Sequence, residues 1–482
     1  VSVRIPTLSD LVADFGSTTF MLSTSVAPAA IQHAGEDQSN QLRSRLHDME
    51  PLCLRTQTPS MAVIAHSSGS YHWTTDGRKL ADFTSGVLVS NLGHNPASWW
   101  KRLLEYLSLD PAGEVGADGC LKAAPLTTYN ATCALEVDAT DRLLQSLRSE
   151  AGGGRMEQIL WAASGSEAAQ KALWACMARR PGADMVLATR GGFHGKKGLA
   201  GAVTGGEDDP ERDPRVRFIS FPKDECSSIQ RRAQPLDLEP YRAELQSLAN
   251  ELDGKLCALI TEPYLGGGGS YHPQPEYMQL LEQFCREQDI AFILDEIQAN
   301  FGRTGSMYAF TEYGIEPDIV LLGKGLGNGI PVDCAAGRAD LFGALGYGEG
   351  SDTWSGHPLG CAAVLATLDE FDSTPVLENG RKLADVIEKG LLRLSELPAI
   401  EAVRGEGTVW GIHCAALGSL SANDVAVQLV EACYQGNSDG LAIHLLGPLA
   451  GCVIRIAPPL VMPVDEAQAY LDCLYEIAAD LT

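Results

Sequence analysis

No Cys-x-x-Cys pair, no histidine set at zinc-ligand spacing and no apolar stretch of transmembrane length occurs in the 482 residues. The first two absences remove the common dithiol and zinc motifs, so no metal is expected. The third leaves no signal for a membrane-spanning helix. The N-terminus lacks a basic segment followed by an apolar core, the pattern of a secretory signal. The 13 cysteines are dispersed from Cys53 to Cys473, and an odd, scattered set predicts reduced, mostly buried thiols in a cytoplasmic setting. Basic residues are in deficit, 36 against 62 acidic, for a net charge of −26. A field of that sign repels phosphate backbones and anionic headgroups, so neither nucleic acid nor a membrane surface is an expected partner. Nucleotide fingerprints are missing too. Gly323–Gly329, "GKGLGNG", has no Ser or Thr after its lysine, and Ser164–Ala168, "SGSEA", is too poor in glycine for a dinucleotide turn.

What is present reads as an ordinary globular protein. Hydrophobic content of 45% and charged content of 20% are typical of globular chains, and 50 glycines suit an α/β architecture rich in tight turns. Residues 1–50 are weakly periodic and read as an N-terminal extension with a short helix or two. Tyr71–Phe83, "YHWTTDGRKLADF", alternates apolar positions about Asp76-Gly77 and predicts a hairpin. Continuous apolar runs follow: "QILWAA" (158–163), "DMVLAT" (184–189), "VRFIS" (216–220), "CALITE" (257–262), "IAFILDE" (290–296) and "DIVLLG" (318–323). Such runs, separated by amphipathic helical segments, predict parallel strands covered on both faces. After about Ala362 two helices, two strands ("TVWGIHC", "CVIRIAP") and a last helix from Val464 form a smaller α+β unit. The expected division is an N-terminal extension (1–50), an N-terminal part of a small domain (51–110), a large domain (111–361) and a C-terminal small domain (362–482).

The residues with chemistry stand at strand ends. Asp295 ends one apolar run and Lys324 follows the next, where ligands of open α/β sheets bind. A lysine among glycines lacks solvating partners; its pKa falls, and it can attack an aldehyde. A carboxylate behind a pyridine ring would keep the ring nitrogen protonated. "SGSEA" opens a helix, and the N–H groups of Gly165 and Ser166 make a ready anion site. "GGFHG" (191–195) sets Phe193 in a glycine-flanked loop, able to stack on a flat cofactor.

Over roughly residues 55–475 this ordered set resembles the class III (ω-) aminotransferases, of pyridoxal-phosphate (PLP) fold type I. The matching pieces include Asp82–Gly93 "DFTSGVLVSNLG", "SGSEA", "FHG" (193–195), Glu262-Pro263, Asp295–Gly305 "DEIQANFGRTG", "GKGLGNG", Thr353–Pro358 "TWSGHP", Arg404–Gly411 "RGEGTVWG" and Arg455–Leu460 "RIAPPL". The resemblance implies a large domain of mostly parallel sheet with helices on both faces, and a smaller α+β domain built from N- and C-terminal segments. It implies that Lys324 forms the Schiff base and shuttles the proton, while Asp295 pairs with the pyridinium nitrogen. Gln298 would bond the phenolic oxygen, Phe193 would stack on the ring, Gly165 and Ser166 would hold the phosphate, and Glu262 would stand near the cofactor. Thr353 would reach the phosphate in the partner subunit, making a homodimer with sites at the interface. Arg455 would bind a substrate α-carboxylate, for which a guanidinium fork is suited. Glutamate-using members often carry Gln and an acidic residue after Glu-Pro; here Leu265 and Gly267 stand in those places, so the resemblance does not extend to a glutamate switch over Arg455.

The expected activity is PLP-dependent transfer of an amino group from a primary amine, α or ω, to a 2-oxo acid. The same scaffold hosts decarboxylases, aminomutases, racemases and phospho-lyases, which remain the alternative. A non-catalytic PLP-sensing regulator would need a basic DNA-reading segment, and residues 1–60 hold none.

Overall fold

The computed structural model describes residues 29–54, 58–208, 212–448 and 450–481. The expected N-terminal extension is therefore seen only from residue 29; residues 1–28 lie outside the described residues. A helix over Asp37–Met49 fills the described part. Its Arg43 joins Glu36 at 2.7 Å and the Tyr434 hydroxyl at 3.0 Å, which fastens this segment to the C-terminal region.

Three strands follow, β1 (Ile64–Ser68), β2 (Tyr71–Thr74) and β3 (Lys79–Asp82). The β2–β3 hairpin forms where the sequence predicts it, with Tyr71 opposite Ala81 and Gly77 in the turn at φ +84°. That left-handed angle is open to glycine at little cost.

Seven strands build the main sheet: β4 (Gln158–Ala162), β5 (Met185–Thr189), β6 (Val216–Ile219), β7 (Leu256–Thr261), β8 (Ala291–Asp295), β9 (Ile319–Leu322) and β10 (Asp333–Gly337). Their order is β4-β10-β9-β8-β7-β5-β6, parallel except that β10 runs antiparallel to both β4 and β9. Sequence patterning anticipates the other six and misses β10. Its residues, Asp-Cys-Ala-Ala-Gly, are small and poor in β-formers, and the strand is held by burial between two neighbours rather than by propensity. Side chains alternate between two cores: Phe292 and Leu294 of β8 enter one, and Ile293 enters the other. This two-faced burial is why the runs are continuously apolar.

The C-terminal part carries β11 (Ile400–Glu406), β12 (Val409–Cys414), β13 (Ile443–His444) and β14 (Val453–Ile456). β11, β12 and β14 form an antiparallel sheet, and β13 pairs in parallel with β3. Helices Val376–Leu394, Ala422–Gln435 and Val464–Asp480 cover it. One core, including Leu383, Ile412, Ile454, Leu474 and also Ala81, Phe83 and Ile443, joins the hairpin to this unit. No described helix is long and apolar enough to cross a membrane.

Candidate active site

A cavity of about 340 Å³ opens at the carboxyl ends of the parallel strands, and Lys324, Asp295, Gln298, Glu262, Phe193 and the Gly165-Ser166 pair all line it. β8 and β9 are neighbours, with Asp295 opposite Leu321. The carboxylate ending β8 and the lysine just past β9 are thereby brought to one space.

Lys324 sits at φ +50°, an uncommon angle for a residue with a Cβ. Its predecessor must be glycine, because a Cβ on Gly323 would lie 1.8 Å from Asp333 Oδ1. Burial pushes the Lys324 ammonium below its usual pKa, Asp295 opposes that shift, and Arg455 adds to it. The neutral amine is the nucleophilic form.

Asp295 is 4% exposed and fixed on both oxygens. Oδ2 meets His194 Nδ1 at 2.8 Å, and Oδ1 accepts from the Ile297 amide at 3.1 Å. Its neighbour Glu296 points away and has another task. Its two oxygens accept the Ala309 and Phe310 amides, each at 2.7 Å, at the start of the Ala309–Tyr313 helix. Burial raises the Glu296 pKa to about 8. Glu262 is also buried; it accepts from the Phe193 amide at 3.0 Å and the Gly266 amide at 3.3 Å. Desolvation lifts its pKa to about 7, against the pull of His194.

Opposite Asp295, Ser164 caps the helix Gly165–Arg179 by accepting from the Glu167 amide. The Gly165 and Ser166 amides precede the first intrahelical bond, made by Glu167 to the Ser164 carbonyl. They keep the positive end of the helix free for an anion. A larger residue here would displace its neighbours: a Cβ on Gly165 would stand 2.6 Å from Ile297 Cδ1, and one on Gly195 2.5 Å from Ser166 Oγ.

Arg455, on β14, reaches the same region. It donates to Gln298 Oε1 at 3.3 Å and to the Gly266 carbonyl. Among the described residues it forms no ion pair. Thr353 is exposed and does not line this cavity; its carbonyl accepts from Thr127 Oγ1 at 3.3 Å.

The sequence matches the family model described as aminotransferase class-III over residues 121–478. The chain belongs to the class III aminotransferases. It is a PLP-dependent enzyme that transfers amino groups. Acetylornithine aminotransferase of Agrobacterium fabrum is 29% identical over 86% of this chain and 92% of that protein. The 2-aminoadipate transaminase of Pseudomonas putida is 30% identical over 87% and 96%. Two solved structures share the fold. An amine transaminase from an uncultivated Pseudomonas species in its PLP-bound form superposes with TM-score 0.72 at 24% identity, covering 90% of this chain and 97% of that one. Ornithine aminotransferase of Toxoplasma gondii ME49 gives 0.74 at 21%, covering 93% and 99%.

The residues of this aminotransferase fit the cofactor: one cavity is lined by a buried carboxylate, by two helix-start amides with no partner among the described residues, and by a desolvated lysine. At 165 and 195 glycine avoids a Cβ that would press on Ile297 and on Ser166 and Ala200. Two cavity groups escape sequence reasoning. His194 reads as an ordinary polar residue beside Phe193, and no local spacing ties it to Asp295, 101 residues on. Asp333 begins the unforeseen β10; burial raises its pKa to about 7, while nearby Lys324 pulls it down.

Proposed function

We propose that this enzyme takes the amino group of an amino acid, recognised through its carboxylate by Arg455, and delivers it to a 2-oxo acid bound the same way. The observation behind this is the buried guanidinium of Arg455, 6% exposed and hydrogen-bonded among the described residues to two neutral acceptors, a carbonyl and an amide oxygen. A buried cation with no direct ion-pair partner among the described residues is costly, and an incoming carboxylate relieves that cost through paired charge-assisted bonds. The named relatives support the same choice, since acetylornithine and 2-aminoadipate are both amino acids.

Bound PLP supplies an aldehyde carbon for the amine and a ring that absorbs the electron pair left when the neighbouring C–H bond breaks. Lys324 Nζ would hold the cofactor and would serve as the base that moves the proton of the substrate carbon. Its burial lowers its pKa and so favours the neutral form. Asp295, locked by His194 and the Ile297 amide, would keep a proton on the ring nitrogen. Phe193 would stack on the ring, and Gln298 would bond its phenolic oxygen. Gly165 and Ser166 would hold the phosphate. Glu262 acts through the Phe193 and Gly266 amides, setting the loops on either side.

The exposed Thr353, set away from its own chain's cavity, suits a homodimer in which it serves the partner subunit's site. Thirteen free thiols among the cysteines agree with a cytoplasmic setting.

The test compares an α-amino acid with the matching amine that lacks the carboxylate, each mixed with cofactor-loaded enzyme in a single half-reaction. The amino acid is expected to convert the cofactor to its pyridoxamine form far faster. Equal rates would sink the carboxylate assignment, and a cofactor-replete, unaltered spectrum in Lys324→Ala would reject the lysine.

A further inference from the structure

Away from the catalytic cavity, a second group of polar side chains converges beneath the hairpin sheet. Asp82 ends β3, His72 lies on β2 and His94 sits in the loop beyond. Their candidate ligand atoms all lie within 4.8 Å of one another. Asp82 Oδ2 stands 2.7 Å from His94 Nε2 and 3.6 Å from His72 Nε2. Asp82 is fully buried, and the His72 and His94 side chains are 8% and 15% exposed.

Hydrogen bonding explains only part of this arrangement. The contact to His94 is an ordinary hydrogen bond, but 3.6 Å is too long for one to His72. A third imidazole, His444, stands edge-on to His72 with ring centroids 5.3 Å apart. Its Nδ1 is buried and has no partner among the described residues. Buried polar atoms rarely stay unpaired.

The surroundings have the form of a ligand shell. His72 Nδ1 is tied to Ser67 Oγ at 2.7 Å, which fixes the ring with Nε2 toward the carboxylate. Asp82 Oδ1 accepts from the Thr84 amide at 2.8 Å, the Thr84 hydroxyl at 2.7 Å and the Ser85 amide at 3.1 Å. Outer hydrogen bonds of this kind orient metal-binding imidazoles and carboxylates. Tetrahedral zinc with bonds near 2.0–2.1 Å places its ligand atoms roughly 3.3 Å apart. The two measured separations, 2.7 and 3.6 Å, fall on either side of that figure.

We propose that His72 Nε2, His94 Nε2 and Asp82 Oδ2 bind a divalent cation of the zinc class, with His444 as the nearest further donor. The cation replaces a hydrogen bond by three coordinate bonds and neutralises a buried carboxylate. His94 also lines an open hollow of about 230 Å³ with Asn95 and Trp100. The position carries a structural consequence. Asp82 holds the start of a left-handed run in which Ser85, Gly86, Val87 and Leu88 have φ of +48°, +59°, +68° and +62°. That run delivers Val89 to the wall of the catalytic cavity. An ion on Asp82 therefore stiffens a strained segment bordering the catalytic cavity.

The experiment titrates ZnCl2 into cofactor-loaded enzyme that has been dialysed against a chelator, in phosphate-free buffer, by calorimetry. One ion per chain is expected, with a rise in Tm. His72→Ala should weaken the affinity at least about tenfold, while the exposed neighbour His66→Ala should leave it unchanged. A cobalt titration of the unmutated enzyme covers the case in which His72→Ala fails to fold; ligand-field bands of tetrahedral cobalt are expected. Absence of saturable zinc binding, binding undiminished in a folded His72→Ala, or cobalt bound only as the octahedral aquo-type ion would each overturn the site.

Discussion

His194 Nδ1 and Asp295 Oδ2 meet at 2.8 Å with both side chains withdrawn from water. The imidazole clamps the carboxylate that lines the cavity, while the Ile297 amide holds its other oxygen. A charge-assisted bond of this type contributes about 1.5–3 kcal/mol. His194→Ala is therefore expected to lower kcat by about 10- to 100-fold. The variant should also hold PLP less tightly on dialysis, followed by its visible absorption. An unchanged kcat would show that Asp295 needs no clamp.

Gly165 tests the phosphate cradle. Its missing Cβ would lie 2.6 Å from Ile297 Cδ1, so Gly165→Ala overpacks the cavity wall at a cost of about 1–3 kcal/mol. PLP affinity, measured by equilibrium dialysis, should fall, and Ile297→Val in the same chain should restore much of it. Failure of that rescue would mean the alanine acts by some other contact.

Glu296 and Glu262 predict how stability varies with pH. Burial raises both above the ordinary value of 4.5, to about 8 and about 7. Such groups favour the protonated, folded state. Their contribution is complete below pH 4.5, where the unfolded chain is protonated too, and is lost as pH rises through about 7 to 8. The urea midpoint of cofactor-free protein should accordingly drop between about pH 5 and about pH 8.5. Glu296→Gln removes one titrating group and one of two amide acceptors. It should cost about 1–3 kcal/mol at the acid end and less at the alkaline end. A parallel pair of curves would contradict the assignment.

Arg455 divides binding from chemistry. Arg455→Lys keeps the charge but loses the planar fork. The KM for an amino-acid donor should rise about 10- to 100-fold, the equivalent of one strong charged bond. The matching amine without a carboxylate should be affected much less. Equal effects on both donors would mean that Arg455 serves the fold alone.

Much of this molecule is legible along the chain. The parallel strands are readable because burial on both faces demands unbroken apolar runs, as in "AFILD" and "IVLL". The hairpin is readable because Asp76-Gly77 meets the left-handed demand of its turn. Asp295, Lys324 and the Gly165-Ser166 helix start are legible for a related reason: a strand end and a helix end are each local features, and their chemistry follows from the residues placed there. β10 is not legible, since five small residues carry no pattern and become a strand only between β4 and β9. Glu296 cannot be told from its neighbour Asp295 by sequence; side-chain alternation and the later helix at Ala309 assign one to the cavity and the other to a cap.

By itself, then, the sequence determined the layered α/β architecture and the identity of the lysine and carboxylate at its strand ends, because hydrophobic periodicity and turn chemistry act over a few residues. Only the tertiary structure decided that His194 clamps Asp295, that Asp333 crowds Gly323, and that His72, Asp82 and His94 share one small volume. Those contacts join residues far apart in the chain. Their pairing is set by how strands and loops pack, for which no spacing along the sequence is a guide.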